Sequence, residues 1–96
     1  MLVTHSPKPI SGRDLRYLLT TYLAAAGPLT VARLVGLLER DGFELRGRPS
    51  KEVSDALRWE IARGRVVKIS RATYAAKAIP ERTARRIRTR ARQLAP

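Results

Sequence analysis

From Ser11 to Gly64 the apolar residues recur every three or four positions in three consecutive blocks, and each block closes on a glycine. In the first, Leu15, Leu18, Leu19, Tyr22, Leu23 and Ala26 follow Ser11, which forms a capping box with Asp14, and Gly27-Pro28 stops the run. Thr30 caps the second block, built on Val31, Leu34, Val35, Leu37 and Leu38 and ended by Asp41-Gly42. The third opens on Pro49, a residue suited to a first helical turn, with Ser50 as a possible cap, and runs to about Arg63 before Gly64. Next come the branched run RVVKI, the polar SRA and TYA, which predict a hairpin with its tip near Ser70 to Ala72. Pro80 then opens a fourth helix from Glu81 to about Leu94.

This order predicts a mainly α fold with a small β-hairpin. Three parts are expected: a flexible N-terminal arm or strap over residues 1–10, one domain over residues 11–76, and an arginine-rich C-terminal helix over residues 77–96. A chain of 96 residues holds a single modest core, and no internal repeat is seen.

The net charge of +12 points to a polyanionic partner, and its placement is uneven. Residues 11–47 carry five basic groups against four acidic, residues 48–76 seven against three, and residues 77–96 seven against one. The first half is a nearly neutral scaffold and the second half carries the field. Without cysteine there is neither a disulfide framework nor a thiolate metal site. The longest apolar stretches, such as YLAAAGPL, fall short of a membrane span, and the N-terminus lacks a basic region followed by an apolar run. A cytoplasmic protein at the nucleoid is therefore expected.

Catalysis is not expected. There is no cysteine, the one histidine is His5 in the ragged N-terminus, no carboxylate pair is spaced to share a site, and six scattered glycines form no phosphate loop. No cofactor, metal or small-molecule ligand is predicted, since no sensing domain remains once the helices and hairpin are counted.

The stretch RPSKEVSDALRWEIARGRVVKISRATYA resembles the recognition-helix and wing segment of winged helix-turn-helix DNA-binding proteins, and with the two preceding helices the likeness extends over residues 11–76. It implies three helices plus a wing, with the third helix in the major groove of double-stranded DNA and the hairpin alongside. The wing here, SRA, is short and lacks glycine.

At about 100° per residue Val53, Ala56, Leu57 and Ile61 make the core face of the third helix, while Lys51, Ser54, Asp55, Arg58 and Ala62 turn away from it. Arg58 suits a bidentate contact to guanine, Ser54 a base or a phosphate, and Lys51 a phosphate at the helix start. Asp55 accepts from cytosine or pairs within the helix with Lys51 or Arg58. Trp59 is expected to pack against the hairpin or second helix, and Glu60 to pair with Arg16, Arg33 or Arg65. Arg48 precedes the helix; Arg63, Arg65, Lys68 and Arg71 line its end and the wing, with Arg71 the residue to enter a minor groove.

In the tail, Ala84, Ile87, Ala91 and Leu94 form a narrow apolar stripe, and the arginines, among them Arg82, Arg85 and Arg86, spread around the rest to meet DNA backbone. The stripe is expected to pair two copies as a homodimer rather than dock in cis, leaving the tail dispensable for the fold. The competing classes are a winged-helix module for protein interaction and RNA binding through the arginine-rich tail.

Overall fold

The computed structural model describes residues 7–94; the first six residues of the flexible arm expected over residues 1–10 lie outside the described residues. The elements in chain order are β1 (Lys8–Ile10), α1 (Gly12–Ala26), β2 (Leu29–Thr30), α2 (Val31–Arg40), β3 (Phe43–Leu45), α3 (Pro49–Ala62), β4 (Val66–Ser70), β5 (Thr73–Ala76) and α4 (Glu81–Leu94). The protein is mainly helical with two small sheets.

Most helix ends follow local chemistry. Gly27, at φ +83°, takes the left-handed conformation that lets its N–H donate to the Leu23 carbonyl at 3.0 Å. Thr30 caps α2, its hydroxyl accepting from the Arg33 N–H at 3.1 Å. Pro49 occupies the first turn of α3, whose cap position is Arg48 rather than Ser50. The capping box at Ser11 does not form. Gly12, at φ +58°, departs from helical geometry just where the cap must aim its hydroxyl, and the Asp14 carboxylate turns to Arg13 and Arg90 instead.

The core gathers Leu19 and Leu23 of α1, Leu34 and Leu38 of α2, Val53 and Leu57 of α3, and Val66 of β4, each at most 1% exposed. Burying each such leucine contributes about 1.5–3 kcal/mol. Ile61 departs from its expected place. It is 38% exposed, because in the last turn of α3 the inward positions go to Glu60 and to Val66 just beyond the helix.

Lys8–Ile10, expected as part of a flexible arm, instead form β1, parallel to β3 with Ile10 opposite Leu45 and buried. Lys8 also donates through Nζ to the Leu94 carbonyl at the end of α4, at 3.3 Å. The second sheet has the order β2-β5-β4, all antiparallel, with Leu29 opposite Tyr74 and Val66 opposite Ala76. The β4–β5 hairpin turns at Arg71 and Ala72, the latter at φ +58°, and the Ala72 carbonyl accepts from the Val31 N–H at 2.9 Å.

The C-terminal helix is also placed differently from expectation. Ile87, Ala91 and Leu94 of α4 are buried against α1 of the same chain. Asp14 clamps the two helices by accepting from Arg90 Nε and Nη2 at 3.1 and 3.2 Å. The stripe expected to join two copies is thus buried within one chain, and Ala91 and Leu94 of α4 join the core. Docking wins because α1 offers an apolar flank beside a carboxylate, which a helix of six arginines meets with both its stripe and its charge.

Candidate nucleic-acid interface

The surface that α3 turns to solvent is set by what its other side buries. With Val53, Ala56 and Leu57 sealed below, Lys51 and Arg58 stand exposed and Asp55 lies between them, forming one shallow surface bounded by Trp59 and Ala62. Asp55 accepts from Lys51 Nζ at 2.8 Å and lies 3.9 Å from Arg58 Nη1. The Lys51 hydrogen bond holds the Asp55 carboxyl below the usual carboxylate range, and the same bond raises Lys51. This row therefore offers donors at both ends and an acceptor in the middle, the mix that hydrogen-bonding base edges require. Ser54 is half-buried at the edge of this face.

The buried carboxylate of Glu60 ties α3 to α1 and to the chain that follows the helix. It is fully buried and accepts from Arg65 Nε and Nη2 at 2.6 and 2.9 Å and from the Thr20 hydroxyl of α1 at 2.9 Å. Arg16 Nε adds charge at 3.4 Å without hydrogen-bond geometry. Such a network is costly to break, because one lost partner strands a buried charge. Arg65, one of the three arginines expected to pair with Glu60 and also expected to line the helix end, is committed to Glu60, with only 11% of its side chain exposed.

Around this face the structure places Arg48 at the N-cap of α3 and Lys68 and Arg71 on the hairpin, all exposed. Lys68 lies 5.9 Å from the centre of the Tyr74 ring, its cross-strand neighbour, and Arg71 stands at the tip. Val67 and Ile69, on the alternate side of β4, are 42% and 55% exposed.

Trp59 is not packed on the hairpin or on α2. It is 57% exposed on the side of α3 that faces α1, with the guanidinium groups of Arg16 and Arg63 at 5.6 and 5.4 Å from its ring centre. Tyr17 is flanked in the same way by Arg13 and Arg65, at 5.8 and 5.6 Å. Of these arginines only Arg13 and Arg63 are exposed and add to the basic surface, while Arg16 and Arg65 are turned inward to Glu60. Two of the pairs, Arg13–Tyr17 and Trp59–Arg63, are four apart in a helix, a spacing readable in the sequence.

Arg82, Arg85 and Arg86 are not brought to the α3 face. They are exposed on α4, across α1 from α3, and line a groove of about 700 Å3 between α1 and α4 together with Arg13 and Arg90. The expected site is thus divided between two surfaces. Among the described residues no group of acidic side chains or histidine is arranged to hold a metal ion, and no helix is long and apolar enough to cross a membrane. Comparison with known protein families, curated proteins and solved structures found no match.

Proposed function

We propose that this protein binds double-stranded DNA as a winged helix-turn-helix module, acting at the nucleoid of the cytoplasm as a transcriptional regulator or an architectural factor. The observation that carries the reading is the outward row Lys51, Asp55 and Arg58 on α3, a helix that runs through Gly64 directly into a hairpin tipped by Arg71. The sheet order β2-β5-β4, with β2 entering between the first two helices, fits a three-helix module with a wing. In this reading α3 enters the major groove, Arg58 takes a guanine edge, Lys51 a phosphate, and Arg48, Lys68 and Arg71 hold the flanking backbone.

RNA binding through the arginine-rich helix is the weaker reading, since α4 docks in cis and keeps its stripe buried, whereas folding on a structured RNA calls for a free segment. An anisotropy titration of the purified protein against unrelated duplexes, single strands and structured RNA separates these. Preference for duplex is the expected result, and preference for single strands or RNA overturns the proposal.

A further inference from the structure

Trp59 is the most exposed large apolar side chain among the described residues, at 57%, and it stands on the helix that carries the row Lys51, Asp55 and Arg58. At about 100° per residue Lys51, Asp55, Arg58, Trp59 and Ala62 fall within about 100° of arc, and the five line one shallow surface of α3. A lone exposed apolar residue is ordinary on a protein surface. This one differs in how it is held and in the groups that share its face.

The guanidinium groups of Arg16, from α1, and Arg63, at the end of α3, lie 5.6 and 5.4 Å from the centre of the indole ring. Arg16 is itself anchored, its Nε 3.4 Å from the buried Glu60 carboxylate. A ring fixed before it meets a ligand loses little freedom on binding. Ala62, three residues further along the same face, is exposed beside it. The face therefore has an apolar end, Trp59 and Ala62, next to a hydrogen-bonding row. In the major groove the apolar group that base pairs present is the C5-methyl of thymine, and it is met by alanine and aromatic side chains.

We infer that Trp59, with Ala62, reads a thymine methyl close to the base pair taken by Arg58. The inference rests on the proposed function and deepens it by naming a specificity-determining residue and the base it selects. Arg58 and Trp59 are consecutive on one helix, about 1.5 Å apart along its axis, whereas base pairs are stacked about 3.4 Å apart, so their targets lie within about two base pairs of each other. The two side chains divide the reading by chemistry. Arg58 offers a fork of donors, and Trp59 offers an apolar surface that a base without the methyl leaves partly in water.

The test uses the full-length protein and a duplex recovered from a randomised pool by repeated selection. Replacing each thymine of that duplex in turn by deoxyuridine removes one methyl group and leaves every hydrogen-bonding group in place. At one or two positions the replacement is expected to weaken the affinity, read by anisotropy, about fourfold, as for one methyl group no longer buried. Trp59→Ala is expected to bind the thymine duplex at least as weakly as wild type binds the deoxyuridine duplex, and to show no further loss when the methyl is removed. Trp59 is the one tryptophan of the chain, so its emission is expected to change on binding the thymine duplex and to change less with deoxyuridine at the sensitive position. Binding indifferent to every methyl, a selected sequence without thymine, or methyl sensitivity that survives in Trp59→Ala each overturns the inference and leaves the proposed function standing. Absence of duplex binding altogether removes both.

Discussion

The helices α3 and α4 are each 14 residues long and each buries one side, yet their outward sides differ in kind. Over its length α3 has two basic residues, Lys51 and Arg58, against Glu52, Asp55 and Glu60, whereas α4 has six arginines against Glu81. A face of mixed sign discriminates, because a wrong base or a misplaced phosphate meets a carboxylate. A face of one sign attracts any phosphate and distinguishes none. In this chain, then, the helix whose outward face mixes donors with an acceptor is not the one that carries most of the positive charge.

The most drastic way to break the comparison is to remove α4. A chain ending at Ala76 is expected to lose its cooperative thermal transition, because Ile87, Ala91 and Leu94 leave the α1 flank bare; a preserved transition by circular dichroism shows α4 to be an appendage. Next is the anchor of α3. Glu60→Ala strands Arg65 and is expected to cost about 3–5 kcal/mol, seen as a fall in urea midpoint. No loss of stability contradicts the positioning role assigned to Glu60.

Changes on the exposed row of α3 are smaller and act on binding alone. Arg58→Ala is expected to weaken duplex affinity by about 1–3 kcal/mol and relax preference at one base pair, while Lys51→Ala weakens all sequences alike. Unchanged affinity in both, with intact circular dichroism, moves the reading surface off α3. The smallest effect concerns the clamp between α1 and α4. The Arg90 hydrogen bonds hold the Asp14 carboxyl below its ordinary range. Its stabilising contribution is therefore full above about pH 4, where the unfolded carboxyl is ionised, and fades as pH falls through the lowered value. Asp14→Asn is expected to flatten the acid limb of thermal stability, and an acid limb identical to wild type removes the clamp from the account.

Much of the fold was legible because its signals are local. Thr30 as a cap, Gly27 as a stop, Pro49 at a first turn and the hairpin tip at Ala72 each depend on neighbours within a few residues. The Lys51–Asp55–Arg58 row was legible for the same reason, being one face of one helix. What the sequence hid depends on distance. Asp14 and Arg90 are 76 residues apart, so nothing near Asp14 marks it as a clamp rather than a capping-box partner. The strand β1 has only three residues and gains its order from Phe43–Leu45, far along the chain. Trp59 and Ile61 sit at the margins of the apolar arc, where the placement of α1 and β4, not periodicity, decides exposure. The division of the basic residues between two surfaces followed from the same cause, since only the docking of α4 on the far side of α1 sets Arg82, Arg85 and Arg86 apart from Arg58.

The central claim, that α3 reads duplex DNA while Arg48, Lys51, Lys68 and Arg71 hold its phosphates, is tested most directly by duplex affinity across a salt series. With about four phosphates neutralised, log K is predicted to fall against log salt with a slope of about −3.6. The Arg58→Ala variant, its contact being to a base, is predicted to run parallel to wild type at lower affinity. A flat salt response, or no duplex binding at low salt, contradicts the account.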